Sequence, residues 1–211
     1  MDLFDDILPR KQMIAQGAYL FRGYISAEEV TLLTELNAIL EQAPFRSMPT
    51  PMGMMSVKTS SCGDFGWDSD RTGYRYSMVN PANNQAWPPI PAGFLHLAEQ
   101  AATEAGYENF VPDSCLINQY QIGAGMGLHQ DKNERDFTQP IVSVSLGISA
   151  VFQFGGLKRT DKVVRIPLNH GDVLVWGGES RMRYHGVLPI KASCHPALGE
   201  QRINLTFRKA G

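Results

Sequence analysis

From residue 114 onward the chain alternates with period two. That period limits the fold more than any other feature of its 211 residues. The cleanest instance comes last. Arg202-Ile203-Asn204-Leu205-Thr206-Phe207-Arg208 alternates without a fault, with Ile, Leu and Phe on one face and Arg, Asn, Thr and Arg on the other. Segments 116–120, 141–146, 150–154, 163–168 and 173–176 read as further strands. In 116–120 the side chains of Leu116, Asn118 and Tyr120 share a face; in 141–146 Ile141, Ser143 and Ser145 oppose Val142, Val144 and Leu146. Asn169-His170-Gly171-Asp172 is a tight turn, which makes His170 a turn residue rather than a ligand. Many short strands separated by turn signals indicate a sandwich or barrel, not a βαβ sheet.

The first half is organised differently. Residues 18–21 read as a strand. Ser26 and Glu29 form a capping box, and Val30, Leu33, Leu36 and Leu40 recur at helical spacing until Pro44 ends the helix. Residues 91–106 read as a second helix, with Pro91 at its start and Gly106 as its C-terminal cap. Phe94, Leu97, Ala98, Ala101, Ala102 and Ala105 form its apolar stripe, and His96 lies off it. Residues 45–91 carry little periodicity. Met48, Met52, Met54 and Met55 crowd one stretch, and Trp67, Tyr74, Tyr76 and Trp87 follow. A long irregular segment in a compact domain is usually functional or disordered. Aromatics beside Arg71 and Arg75 suit stacking on a nucleobase, and a plain covering layer of loops and edge hairpins is the alternative. The expected class is mainly β with flanking helices, in one domain over residues 1–211.

A hydrophobic share of 43% and a charged share of 19% mark a globular chain. No apolar run approaches the roughly 18 residues of a membrane helix, so no membrane partner is expected. The acidic start, Met1-Asp2-Leu3-Phe4-Asp5-Asp6, lacks the features of a signal peptide. Cys62, Cys115 and Cys194 are widely spaced and odd in number, which suits reduced thiols in a cytoplasmic protein. The net charge of −2 argues against a protein that coats nucleic acid, but it is unevenly spread. Residues 1–128 carry 7 Lys and Arg against 14 Asp and Glu; residues 129–211 carry 12 against 7. The basic half suits an anionic co-substrate or a phosphate backbone, and an ordinary solvated surface accounts for it too.

That basic half opens on His129-Gln130-Asp131, and His185 follows at a distance. Two histidines and a carboxylate are the facial ligand set of non-haem Fe(II), with positions left open for oxygen and a co-substrate. Residues i and i+2 of an extended segment point the same way, so His129 and Asp131 can grip one ion. A His-x-Asp pair also arises by chance. In the last strand the backbones of Arg202 and Arg208 lie about 20 Å apart. Side chains reaching inward from both would leave a gap of about 6–8 Å, the span of a short dicarboxylate held at both ends. A solvent-facing polar side of an edge strand is the alternative. Asn118 and Tyr120 lie on one face just before the metal motif and can hydrogen-bond the same ligand.

His129-Gln130-Asp131-Lys132, the distant His185 and Arg202-x-Asn204-x-Thr206-Phe207-Arg208 together resemble the AlkB-type Fe(II)/2-oxoglutarate dioxygenases. Asn118-x-Tyr120 and residues 140–147, 152–159, 171–173 and 177–181 extend the likeness, which runs from about residue 44 to the C-terminus and is taken to cover the whole chain. The resemblance implies a double-stranded β-helix, or jelly roll, with a core over about 114–211 and a nucleotide-recognition lid over about 45–91. It assigns Fe(II) to His129, Asp131 and His185, with Arg208 beside them at the catalytic centre. It assigns 2-oxoglutarate to Asn118, Tyr120, Arg202, Asn204 and Arg208. It places Trp67, Tyr74, Arg75, Tyr76, Asn133 and Arg159 against a flipped base. The implied activity is O2-dependent hydroxylation of the N-alkyl carbon of lesions such as 1-methyladenine and 3-methylcytosine, releasing formaldehyde, succinate and CO2. The implied partner is alkylated single- or double-stranded DNA, with RNA also open, and the implied state is a monomer. One position departs: the family reads His-Gln-Asp-Lys-Asp-Glu where this chain has Asn133. Two other classes stay open: a hydroxylase of a protein or small molecule, and a non-catalytic cupin-like metal-binding module.

Overall fold

The computed structural model describes residues 10–50 and 53–211. The acidic start and Met52 lie outside them. In chain order the strands are β1 (Lys11–Ala15), β2 (Ala18–Phe21), β3 (Pro49–Thr50), β4 (Gly53–Met54), β5 (Lys58–Gly63), β6 (Gly66–Asp70), β7 (Gly73–Ser77), β8 (Val79–Asn80) and β9 (Gln85–Ala86). They continue as β10 (Ser114–Gln121), β11 (Met126–His129), β12 (Ile141–Gly147), β13 (Ala150–Phe154), β14 (Val164–Leu168), β15 (Val173–Trp176), β16 (His185–Val187) and β17 (Gln201–Arg208). Among the described residues two α-helices, α1 (Glu29–Gln42) and α2 (Ala92–Glu104), and a single 3-10 turn at Gly178–Ser180 interrupt them.

The alternating segment at 202–208 becomes β17, an inner strand of a seven-stranded antiparallel sheet of order β1-β2-β15-β12-β17-β10-β5. Its Ile203, Leu205 and Phe207 meet Leu32, Leu36 and Ile39 of α1 and Phe94 and Leu97 of α2 in one core. Its Arg202, Asn204, Thr206 and Arg208 point the other way and are all buried. The polar face is therefore an interior surface, not a solvent-facing edge. It looks toward the second sheet, of order β11-β16-β13-β14. Between the sheets Tyr120, Ile141, Leu174 and Trp176 pack with Phe152, Phe154, Ile166 and Val187. Two facing antiparallel sheets with helices behind one of them make the jelly roll.

Several sequence expectations shift. β1 pairs with β2 at the sheet edge, where exposed side chains left no pattern to read. β5 lies in the middle of the segment read as a lid, yet it is an edge strand of the large sheet, paired with β10. Its Thr59-Ser60-Ser61-Cys62 is buried throughout, so no apolar alternation marks it. The rest of that segment holds the β3–β4, β6–β7 and β8–β9 hairpins. The capping box does not form. Residues up to Glu28 turn to seat Ile25 in the core, and α1 begins at Glu29 with no side-chain cap. Its buried stripe is Leu32, Leu36 and Ile39, and Val30 is 80% exposed.

Helix α2 follows the expected signals. Pro91 is its N-cap. Gly106 adopts φ +90°, and the N–H groups of Gly106 and Tyr107 donate to the carbonyls of Thr103 and Ala102, each at 2.9 Å. This is the Schellman closure, which needs a left-handed residue. A Cβ at Gly106 would meet no atom within 4 Å, so only backbone strain opposes a side chain there. Gly106→Ala is therefore expected to lower the unfolding free energy by about 1–2 kcal/mol, read as a lower urea midpoint at unchanged slope.

Candidate active site

The two metal-motif segments meet because β11 and β16 are antiparallel neighbours, with His129 directly opposite His185. Their close approach requires Gly186, where a Cβ would lie 2.6 Å from the Met126 carbonyl oxygen. Gln130 Nε2 donates to the Met182 carbonyl at 2.6 Å and braces the same two segments. The imidazole centroids stand 4.4 Å apart. Asp131 closes the group, its Oδ1 3.7 Å from His129 Nε2 and its Oδ2 3.7 Å from His185 Nε2. The donor atoms of all three lie within 4.8 Å of one another.

Protonation states follow from the neighbours. His129 Nδ1 faces the Gly127 carbonyl at 2.9 Å, and His185 Nδ1 faces the Arg183 carbonyl at 3.0 Å. A carbonyl oxygen only accepts, so each Nδ1 carries a proton and Nε2 is the nitrogen turned to the metal position. Burial and the adjacent His129 push His185 down to about 4, so its ring is neutral at pH 7. Burial disfavours the charge on Asp131, but Arg208, His185 and His129 outweigh it and hold the carboxyl well below the usual carboxylate range.

The two arginines of β17 behave differently. Arg208 donates to Asp131 Oδ2 from Nε at 2.9 Å and from Nη2 at 2.7 Å. It is thus committed to the metal-binding carboxylate, with Nη1 alone left over. The symmetrical clamp expected from the sequence is not what forms. Arg202 is 1% exposed and has no carboxylate partner among the described residues. Its Nη2 donates to Ser145 Oγ at 3.0 Å and its guanidinium lies 5.0 Å from the Tyr120 ring centre, while Nε and Nη1 are unsatisfied. Asn204 donates to Ser143 Oγ at 2.8 Å and to the Val144 carbonyl at 3.0 Å. Asn118 Nδ2 approaches Asn204 Oδ1 at 3.4 Å, and Asn118 Oδ1 is also unsatisfied.

The metal group, Arg202, Arg208, Asn204, Asn118 and Tyr120 open onto one cavity of about 540 Å³, which also reaches Trp67, Tyr74, Asn133 and Arg159. Trp67 and Tyr74 stack at 5.3 Å across the β6–β7 hairpin. Asn133 Nδ2 lies 3.5 Å from the Tyr74 carbonyl, and the Arg159 guanidinium lies 5.9 Å from the Tyr184 ring centre. Two expected base contacts are elsewhere. Arg75 leaves β7 on the face opposite Tyr74 and pairs with Asp68 at 3.0 Å and Asp70 at 2.7 Å. Tyr76 turns its hydroxyl to Glu134 at 2.6 Å, and neither residue lines the cavity.

The family model of the 2OG-Fe(II) oxygenase superfamily matches residues 17–208. The alpha-ketoglutarate-dependent dioxygenase AlkB of Escherichia coli strain K12 is 51% identical over 212 residues, covering 100% of this chain and 98% of that protein. The chain is an AlkB-type member of the 2OG-Fe(II) oxygenase superfamily. A more distant relative, DNA N(6)-methyladenine demethylase ALKBH1C of Arabidopsis thaliana, is 34% identical over an alignment of 174 positions that covers 70% of this chain and 38% of that protein. The solved structure of OsALKBH1 superposes with a TM-score of 0.82 at 28% identity, over 94% of this chain and 99% of that one.

Membership gives this AlkB-type chain Fe(II), 2-oxoglutarate (alpha-ketoglutarate) and O2. The residues present fit them. Two imidazoles that present Nε2 and one ionised carboxylate match the ferrous ligand set. A buried guanidinium with no counter-charge and two free N–H directions fits a carboxylate, since such a charge is strongly unfavourable until paired. Ser143, Ser145 and Arg181 also build the site without having been singled out for it, and Glu134, next to Asn133, joins Arg181. The two serines were visible as the polar positions of an alternating strand. The Glu134–Arg181 pair, at 3.0 Å, had no sequence signal because its members lie 47 residues apart. Arg202→Met is expected to leave the melting temperature of the ligand-free protein unchanged or raised. The same change should weaken 2-oxoglutarate binding by about 100-fold or more, measured by anaerobic calorimetry.

Proposed function

We propose that this dioxygenase is an oxidative dealkylase of nucleobases, acting on 1-methyladenine and 3-methylcytosine type lesions in DNA, with RNA as a further substrate class. One observation carries the reading: a single cavity joins the His129, Asp131 and His185 group and the unpaired Arg202 to the stacked aromatics Trp67 and Tyr74. The Arabidopsis relative named as a DNA demethylase supports the same direction.

In this reading His129, Asp131 and His185 hold Fe(II). Arg202, Tyr120, Asn118, Asn204 and Arg208 hold 2-oxoglutarate. The bound iron and co-substrate supply, with O2, an oxidant able to hydroxylate an N-alkyl carbon. The chain's own task is to position and to exclude water. Trp67 and Tyr74 give the extruded base a stacking surface. Phe152 and Trp176 wall His185 with rings at 5.9 and 5.1 Å and keep water off the reacting carbon. Asn133 has its Nδ2 turned to Tyr74, which leaves Oδ1 to accept from an exocyclic amine. Arg159 is exposed at the rim and suits a flanking phosphate. The hydroxylated N-alkyl group then loses formaldehyde and restores the base.

A target base must leave its stack, and single-stranded or damaged bases cost least to extract. A short footprint needs few phosphate contacts, which suits a net charge of −2. The chain is read as one domain acting as a cytoplasmic monomer. The free thiols of Cys62, Cys115 and Cys194 support the compartment. Among the described residues no helix is long and apolar enough to cross a membrane.

The test supplies Fe(II), 2-oxoglutarate, air and a methylated single-stranded oligonucleotide, and reads succinate and formaldehyde together. Both should rise in step, and only with the methylated strand. Succinate without formaldehyde would remove the nucleic-acid substrate; neither product, with metal bound, would leave a binding module. Asn133 supplies a hydrogen bond without a charge. Asn133→Asp is therefore expected to raise turnover of cationic lesions more than of neutral ones, read from turnover rates on matched oligonucleotides.

A further inference from the structure

Glu134 is 6% exposed and sits where three parts of the site meet. Its Oε1 accepts the Tyr76 hydroxyl at 2.6 Å, and Tyr76 belongs to the hairpin that carries Trp67 and Tyr74. Its Oε2 accepts from Arg181 Nη2 at 3.0 Å. Arg181, 2% exposed, donates from Nη1 to the Asp131 backbone carbonyl at 2.8 Å. Glu134 Oε1 also lies 3.5 Å from Arg208 Nε, and Arg208 grips the Asp131 carboxylate. A path of charge-assisted contacts therefore runs from the lid hairpin to a metal-binding group. Along it, two buried guanidiniums, Arg181 and Arg208, balance the buried Glu134 and the half-buried Asp131.

Arg208 is shared between Asp131 and Glu134, so the two carboxylates compete for it. The Tyr76 hydroxyl occupies Glu134 Oε1, the oxygen nearer Arg208. When that hydroxyl is in place Arg208 can stay on Asp131 Oδ2, which leaves Oδ1 turned toward His129. Withdrawing it frees the oxygen to draw Arg208 away, and the carboxylate loses its fixed orientation. We propose that Glu134 is a positioning residue that couples closure of the β6–β7 hairpin to the orientation of Asp131, so that the lid and the metal centre stabilise each other. The inference rests on the proposed function only in treating residues 66–77 as part of the substrate lid.

Coupling of this kind is reciprocal: a change in the hairpin must alter metal affinity, and metal must alter the hairpin. The probe is Mn(II), which stays divalent in air, with 2-oxoglutarate and no nucleic acid. In the parent protein, loading both ligands is expected to slow amide exchange over residues 66–77. Tyr76→Phe keeps the ring and touches none of the three metal ligands. It should abolish that slowing and weaken Mn(II) binding about fivefold or more. Glu134→Gln should do the same, and the double variant should lose no more than the larger single loss, because both changes cut one path. Unchanged Mn(II) affinity in Tyr76→Phe, or additive losses in the double variant, would overturn the proposal, as would a parent that binds no Mn(II). Formaldehyde release from a methylated oligonucleotide is scored separately, so a failed dealkylase reading and a failed coupling give different results.

Discussion

The site depends on one strand being buried on both faces. β17 turns Ile203, Leu205 and Phe207 to the helices and Arg202, Asn204, Thr206 and Arg208 to the space between the sheets. An interior strand can carry a polar face only if its neighbours answer it. Here they do except at Nε and Nη1 of Arg202 and Nη1 of Arg208: Ser143 and Ser145 answer from β12, Asn118 from β10, and Asp131 from beyond β11. The helices bury the apolar face so firmly that register cannot slip by one residue without exchanging the two faces. Metal group and co-substrate pocket are thus held in place by the same packing that makes the domain stable.

Charge is arranged along that strand with opposite outcomes at its ends. Arg208 is neutralised within the protein by Asp131 and Glu134. Arg202, six residues away, is left with Ser145 and the face of Tyr120. The first end serves orientation of a metal ligand. The second is complementary to something that the polypeptide itself does not contain.

Where local pattern governs, the sequence is readable. Strands at 150–154 and 173–176, the stop before Pro44 and the glycine closure of α2 follow from period, proline and glycine alone. The metal triad is readable because a histidine and an aspartate two apart in an extended segment share a side. Elsewhere the controlling partner is distant. β5 is a buried strand of small polar residues, so it has no apolar signature. The start of α1 is set by seating Ile25, not by Ser26. Arg75 could have been excluded by period two, which turns it away from Tyr74 and onto Asp68. Tyr76 could not, because its partner Glu134 lies 58 residues away.

The unpaired Arg202 has a consequence for the life of the protein in a cell. A folded state that binds a ligand the unfolded chain does not is stabilised by mass action, by about 2.7 kcal/mol when the ligand stands at 100 times its dissociation constant. A buried, waiting cation makes this chain an acute case, since ligand and fold are joined through an otherwise unfavourable charge. A carboxylate that pairs with Arg202 would therefore hold the chain folded, and shield it from proteolysis, before any substrate is met.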